Sequence, residues 1–198
     1  MKSRRSFIFL LLVLALPLLA FYVMNVASSL QPLPVYGERV GSFHFVNQDG
    51  LSTGNEFTDG KVWVASYFFT SCPTICPKMI AGLKEVQSVY RDEAGLSMVS
   101  FTVDPQRDTP LRLKHYAEAK GIDTRQWNLV TGTKADLYRY ARKELKLVAS
   151  DGDGGPEDFI HSEKLVLLDR QGRICGYYDG TEPSDVKQLI KDIKKLLK

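Results

Sequence analysis

The stretch KVWVASYFFTSCPTICPKMIAGL, residues 61–83, contains the pattern on which the fold prediction depends. Residues 61–69 are too apolar to have one face in water, which predicts a strand buried on both faces. From Pro77 onward, apolar residues recur at helical spacing as far as Tyr90. LSMVSFTV, residues 96–103, predicts a second buried strand, so the chain passes from strand to helix to strand.

The rest of the chain continues this alternation. A helix is predicted from Pro110, with Asp108 or Thr109 as its N-cap and Gly121 as its terminator. The other predicted elements are a hairpin within 42–60, a strand at 127–132, a helix from Thr133, a hairpin around the turn RQG and a closing amphipathic helix. This order predicts an α/β fold, in which a central mixed sheet is flanked by helices and preceded by an N-terminal hairpin extension.

Composition and charge are those of an ordinary globular protein. The 198 residues suffice for one domain with a core, and 44% of them are hydrophobic. Lys2, Arg4 and Arg5 at the N-terminus account for the whole formal net charge of +3. Because no basic stripe interleaved with aromatic residues is present, nucleic acid is not an expected partner.

The N-terminal segment has the features of a membrane anchor. Residues 7–24, FIFLLLVLALPLLAFYVM, contain no charge and follow the basic residues. A membrane-spanning helix needs about 20 apolar residues and a secretory signal about 7 to 15, so we expect an uncleaved transmembrane helix, with a signal sequence as the alternative. The basic residues place the following domain outside the cytoplasm, on the periplasmic side of a bacterial cytoplasmic membrane. The expected organisation is an anchor at 1–27, a tether at 28–36 and one domain at 37–198.

Cys72 and Cys76 are four residues apart, and a proline follows each of them. We expect Cys72 at the end of the strand and a helix beginning near Pro77, which places both thiols near the positive end of the helix dipole. That position lowers the pKa of a cysteine and favours the thiolate, which soft metals and disulfide exchange both require. The spacing permits a structural disulfide, a redox-active pair or a metal site, and it does not choose between them.

A third ligand would favour a metal site over the other two uses. His44 is expected in the hairpin, and His115 is expected on the exposed surface of a helix. His161 follows the loop SDGDGGPEDF and precedes the strand KLVLLD, from where it can reach a site at the ends of neighbouring strands. A structural role is its alternative. Two thiolates and an imidazole suit Cu(I), whereas zinc normally requires a fourth ligand or an open position.

Three segments together resemble the signatures of the Sco/SenC family of copper chaperones. They are YFFTSCPTICPKM (67–79), FTVDPQRDTPLRL (101–113) and FIHSEKLVLLDRQGRICGYYDG (159–180), in the order of the family. The resemblance implies a thioredoxin-like fold and a non-enzymatic metallochaperone that delivers copper to the binuclear copper centre of cytochrome c oxidase during its assembly. The implied partners are the copper-centre subunit of the oxidase and another copper chaperone.

The resemblance also implies roles for single residues. Cys72 and Cys76 match the two thiolate ligands of the family, and His161 matches its histidine ligand, for copper as Cu(I) or Cu(II). Asp104 matches an acidic residue near the site, where we expect it to orient a ligand or hold the loops. A turn or capping role before the adjacent proline is the alternative for Asp104.

The main alternative function uses the same two thiols. A thiol–disulfide oxidoreductase would reduce the copper-ligand cysteines of the partner with Cys72 and Cys76, and it would need no third ligand. A thiol peroxidase is a weaker interpretation, because Cys76 would compete with peroxide for Cys72.

Three other residues are expected to be structural. Arg107 and Asp108 are interpreted as an internal ion pair or a cap, rather than as groups of the site. Cys175, on a hairpin strand, matches no role in the family and is expected to be a small buried hydrophobe.

Overall fold

A computed structural model describes three parts of the chain, residues 15–21, 31–147 and 162–198. The chain divides into two units, Met1–Leu33 and Pro34–Lys198. In the first unit, residues 15–21 are helical. Within the described ranges, no helix has the length and apolar character needed to cross a membrane. The predicted span at 7–24 and the predicted tether at 28–36 lie partly outside these ranges.

The described part of the second unit consists of one sheet with helices packed against it. The strands are β1 (Tyr36–Arg39), β2 (His44–Asn47), β3 (Ser52–Gly54), β4 (Val62–Phe68), β5 (Leu96–Thr102), β6 (Trp127–Thr131), β7 (Lys164–Leu168) and β8 (Arg173–Asp179). The helices are α1 (Asn55–Thr58), α2 (Ile75–Val89), α3 (Pro110–Lys120), α4 (Lys134–Arg139) and α5 (Pro183–Leu197), with a π-helical turn at Tyr140–Glu144.

The sheet is mixed, as the sequence predicts, and its strands lie in the order β1-β8-β7-β4-β5-β6-β2-β3. Strands β4, β5 and β6 are parallel neighbours, and the remaining pairs are antiparallel. The hairpin predicted within 42–60 is confirmed as β2 and β3, and β2 pairs with β6. The hairpin predicted around RQG is confirmed as β7 and β8.

The central pair β4 and β5 positions the cysteines. The two strands pair in parallel from Val62 opposite Leu96 to Phe68 opposite Thr102, and every residue of both strands is buried. This burial explains the continuous apolar runs in the sequence. Both strands end at the same edge of the sheet, and the chain that leaves β4 there carries Cys72.

Helices cover both faces of this sheet, as predicted. Tyr67 and Phe68 point to opposite faces, because side chains alternate along a strand. The hydroxyl of Tyr67 donates to the carbonyl oxygen of Leu137 in α4 at 2.8 Å, and the ring of Phe68 lies 5.6 Å from the ring of Tyr116 in α3.

Two helix boundaries differ from the sequence prediction. Helix α2 begins at Ile75, two residues before Pro77. Pro77 is tolerated in the first helical turn because the N–H that it lacks would have no partner in the helix. The helix predicted from Thr133 begins at Lys134, with Thr133 as its N-cap, and becomes a π-helical turn at Tyr140. In α3 the prediction is confirmed, since Thr109 caps the helix and Gly121 ends it in the left-handed conformation.

Candidate metal centre

Cys72 and Cys76 meet at the N-terminus of α2. Cys72 lies in the loop that follows β4, and Cys76 is the second residue of the helix. The first amides of a helix have no partner within it, and the N-cap residue Thr74 makes no side-chain capping bond. The amide of Cys76 donates instead to the sulfur of Cys72, over a distance of 3.4 Å. The four-residue spacing therefore allows the sulfur of Cys72 to accept a hydrogen bond from the first turn of the helix that contains Cys76.

The surroundings of Cys72 favour its ionised form. Partial burial raises the pKa of its thiol, but hydrogen bonds from the backbone of Cys76, Thr74 and Ile75 and from the thiol of Cys76 outweigh that effect. The net result is a pKa below the usual value for cysteine. Since the side chain is half-buried, the sulfur remains accessible from solvent.

Cys76 has the opposite character. Burial raises the pKa of its thiol to about 12, and the neighbouring Cys72 and the carboxylate of Asp108 act in the same direction. A hydrogen bond from the backbone of Phe69 opposes this shift only in part. Both cysteines are free thiols in the structure. The pair therefore joins an accessible sulfur that ionises readily to a buried sulfur that keeps its proton.

A cavity of about 160 Å³ opens beside the two sulfurs. Aromatic and aliphatic side chains form most of its wall; the lining residues are Tyr67, Phe68, Phe69, Cys72, Pro73, Thr74, Ile75, Cys76, Met79, Val103 and Ser162. Ser162 contributes from the chain that enters β7, so this segment reaches the cysteine loop. Such apolar walls keep water away from the sulfurs and strengthen electrostatic interactions there.

The structure brings together some of the predicted site residues. The two cysteines are adjacent, whereas His161 lies outside the described residues. Asp104 accepts amide hydrogen bonds from Arg107 and Asp108 at its carbonyl, and its carboxylate lies 3.5 Å from the guanidinium of Arg107. Its predicted part in the site stays a prediction. Within the described ranges, no three His, Cys, Asp or Glu side chains are grouped so that they could hold a metal ion.

Comparison with known proteins identifies the family. The SCO1/SenC family model matches residues 36–198, which is most of the chain. The chain belongs to the SCO1/SenC family. The SCO1 protein homolog of Bacillus subtilis is 32% identical over 157 residues, which cover 78% of this chain and 81% of the relative.

Solved structures of the SCO1/SenC family share the fold. A family lipoprotein from Bacillus anthracis has a TM-score of 0.74 at 31% identity, covering 85% of this chain and 100% of that one. BsSco, described as a member of the Sco family of cytochrome c oxidase assembly proteins with a disulfide switch, has a TM-score of 0.71 at 30% identity, covering 83% and 96%. ScoI of Bradyrhizobium japonicum, solved with copper bound, shows the same fold with a TM-score of 0.63 at 22% identity, covering 80% and 99%. The thioredoxin-like fold implied by the resemblance is thus confirmed.

Sequence reasoning missed the role of Asp108 in this SCO1/SenC domain. The side chain is buried, and its carboxylate accepts hydrogen bonds from Thr70 and Thr102 rather than pairing with Arg107. The sequence holds one indirect signal, since Thr70 and Thr102 lie at or just beyond the ends of two strands that are both predicted to be buried. In the structure their hydroxyl groups meet at one edge of the sheet and share the carboxylate of Asp108 as acceptor.

The remaining candidates lie where the sequence predicts. His44 is exposed on β2, and one of its ring nitrogens is 2.7 Å from the hydroxyl of Ser52. His115 is exposed on α3. Cys175 is buried on β8, where burial raises the pKa of its thiol to about 11. None of these three residues lines the cavity beside Cys72.

Proposed function

We propose that the protein is a membrane-anchored copper chaperone that binds copper and delivers it to the binuclear copper centre of cytochrome c oxidase during assembly. The observation that carries this proposal is the cysteine pair at the N-terminus of α2, where Cys72 has a lowered pKa and both sulfurs border an apolar cavity. Membership of a family whose member BsSco is described as a cytochrome c oxidase assembly protein supports it.

The available donors suit copper as a cargo. Cu(I) prefers soft thiolates and tolerates low coordination numbers, so two sulfurs and one imidazole form a sufficient set. We propose His161 as the third ligand. Its neighbour in sequence, Ser162, lines the same cavity as Cys72 and Cys76, which supports this proposal.

Delivery requires that the ligands of the partner replace those of the chaperone one at a time. Cys72 is the sulfur that a partner reaches first, because it is half-buried whereas Cys76 is buried. We propose the copper-centre subunit of the oxidase as the acceptor and another copper chaperone as the donor. Both exchanges take place at the periplasmic face of the cytoplasmic membrane, to which a transmembrane helix at 7–24 tethers the domain. Membrane fractionation and protease accessibility in spheroplasts test this placement, and release of the chain into the soluble fraction would contradict it.

A thiol–disulfide oxidoreductase is the second candidate, and the unequal pKa values of the two cysteines favour it. An attacking thiolate must be accessible and ionised, as Cys72 is, and the second thiol must resolve the mixed disulfide. In this reaction the partner's disulfide gains two electrons and two protons, and Cys72 and Cys76 form a disulfide. The two functions use the same atoms, and only copper binding requires His161.

Titration of the reduced whole chain in detergent with Cu(I), against a competing chelator and without oxygen, tests the proposal. The variants are Cys72→Ser and His161→Ala, and His115→Ala is the matched control because His115 is exposed on α3. We expect one copper per chain, with binding weakened by both site variants and unchanged in the control. Copper binding that is weak in the native sequence and indifferent to His161→Ala would contradict copper delivery and leave thiol exchange as the function.

A further inference from the structure

The carboxylate of Asp108 joins three parts of the fold beside the cysteines. The side chain is buried, and its Oδ2 accepts from the amide of Thr70 at 3.1 Å and from the hydroxyl of Thr102 at 2.5 Å. Its Oδ1 accepts from the hydroxyl of Thr70 at 2.5 Å. Arg112 of α3 donates from Nε to the same Thr70 hydroxyl at 2.7 Å and lies 3.7 Å from the carboxylate.

These bonds fix the chain where it enters the cysteine loop. Thr70 lies two residues before Cys72, while Thr102 is the last residue of β5. Directly before Thr70, the carbonyl of Phe69 accepts the amide of Cys72 at 3.3 Å, and the Phe69 backbone hydrogen-bonds the sulfur of Cys76. A movement of Thr70 is therefore transmitted to both cysteines through Phe69.

Burying a carboxylate to fix a loop has a cost in free energy. Removing a charge from water costs several kcal/mol unless hydrogen bonds and an opposite charge compensate, and apolar residues of similar volume often stabilise a fold equally well. The carboxylate does one thing that an apolar residue cannot do, because it holds the amide and the hydroxyl of one residue together with the hydroxyl of a neighbouring strand. This arrangement therefore fixes the orientation of the loop at Thr70 and also stabilises it.

We propose that Asp108 is a positioning residue of the copper site, which acts through Thr70 to hold the two sulfurs in the arrangement that receives copper. This inference rests on the proposed function. A loop ordered before the metal arrives loses less conformational entropy on binding, so the bond network increases affinity without contacting copper. Both thiols are free in the structure, and a disulfide would have to bring the two sulfurs to about 2.05 Å from each other. A loop that is held in the dithiol arrangement resists this movement, so the same bonds favour the dithiol over the disulfide.

Four variants of the whole chain test the proposal. Thr70→Val removes the hydroxyl with little change in volume, Thr70→Ser restores it, and Asp108→Asn leaves one oxygen for three donors. Asp169→Asn is the matched control, because Asp169 is also buried and accepts from two backbone amides and an arginine, but in the turn between β7 and β8. Thermal unfolding establishes that each variant is folded.

Two readouts separate positioning from simple stability. The first is Cu(I) affinity by chelator competition. The second is the equilibrium with glutathione, in which Cys72 and Cys76 form a disulfide and their two electrons and two protons convert glutathione disulfide into two glutathione thiols. We expect Thr70→Val and Asp108→Asn to weaken Cu(I) binding at least about tenfold, which is 1.4 kcal/mol, and to shift the glutathione equilibrium toward the disulfide. In Thr70→Ser we expect Cu(I) affinity and the glutathione equilibrium to stay close to those of the native chain. Asp169→Asn is expected to lower the melting temperature and to change neither of them.

Folded Thr70→Val with native copper affinity and a native glutathione equilibrium would overturn the proposal, as would equal copper loss in Asp169→Asn. If Asp108→Asn does not fold, Thr70→Val decides. If the native chain binds no Cu(I), the proposed function fails, whereas the glutathione equilibrium still tests whether Asp108 positions the cysteines.

Discussion

The amide nitrogen of Cys76 lies 3.4 Å from the sulfur of Cys72 and donates a hydrogen bond to it. The two cysteines are therefore chemically unequal although the sequence around them is nearly repeated. One sulfur accepts hydrogen bonds at a helix N-terminus and ionises readily, and the other is covered by the apolar cavity wall.

Alkylation of the reduced protein will modify Cys72 first. Its lowered pKa means that the thiolate is present at a pH below the usual cysteine midpoint of about 8.5, whereas Cys76, with a pKa of about 12, stays protonated and buried. Peptide mass spectrometry after brief iodoacetamide treatment, from pH 5 to 10, gives the midpoint for each site. Cys76→Ala removes a thiol donor and should raise the Cys72 midpoint. Equal labelling of Cys72 and Cys76 at pH 7 would contradict the assignment.

The reduced protein will lose stability in alkali through Cys76. Folding raises the pKa of this thiol from about 9 to about 12, so the folded state binds the proton more tightly. The contribution is fully present below pH 9 and is lost as the pH rises to about 12, by at most about 1.4 kcal/mol per pH unit. Urea unfolding of the native chain and of Cys76→Ala, at matched pH values and under reducing conditions, isolates this contribution. If the difference in the free energy of unfolding between the native chain and Cys76→Ala were the same at pH 8 and pH 11, the predicted contribution of Cys76 would be ruled out.

Ser100→Ala will destabilise the fold more than Ser66→Ala. The hydroxyl of Ser100 accepts from the indole N–H of buried Trp127 at 2.8 Å and lies 2.7 Å from the hydroxyl of Ser66. Removing it leaves the indole donor without this partner inside the core, which costs about 1 to 3 kcal/mol. Ser66→Ala keeps the indole bond and serves as the control in urea unfolding. If Ser100→Ala lowered the free energy of unfolding less than Ser66→Ala, the hydrogen bond from Trp127 to Ser100 would not contribute as predicted.

Gly121→Ala will destabilise the protein through backbone conformation alone. Gly121 ends α3 at φ 62°, and the nearest atom to an added Cβ is the amine of Lys84 at 3.7 Å, which leaves enough room. The left-handed conformation costs an alanine about 1 to 2 kcal/mol, and asparagine tolerates it better. Chemical denaturation should therefore rank the stabilities as glycine, then asparagine, then alanine. An alanine variant as stable as the native protein would show that the backbone at position 121 can leave the left-handed conformation without loss of stability.

The sequence predicts the local features of the fold well. The apolar runs at 61–69 and 96–103 correspond to β4 and β5, and the cap, proline and glycine around α3 lie where the pattern places them. These features can be recognised from a few consecutive residues. A run of apolar residues indicates a strand buried on both faces, and a glycine indicates a helix end in the left-handed conformation. The cysteine pair was found in the same way, because its spacing and its place at the start of a helix are local features.

Features that depend on distant contacts were not predictable. No local pattern shows that β2 pairs with β6 or that β1 pairs with β8, since register between such segments is set by the assembled core. The burial of Asp108 has the same origin. An acidic residue before Thr-Pro has the pattern of a helix cap, and only the convergence of Thr70 and Thr102 makes it a buried acceptor.

The pairing of β1 with β8 constrains the order in which the domain can assemble during synthesis. Tyr36 lies opposite Ile174, so the two strands are separated by most of the domain sequence. The chain emerges from its N-terminus, and an ordered pair cannot form until both of its strands are available. The partner of residues 36–39 is therefore synthesised long after them, whereas β4 and β5, which are closer in sequence, are both available much earlier. The first strand of the domain to be made is thus the one whose partner is made last.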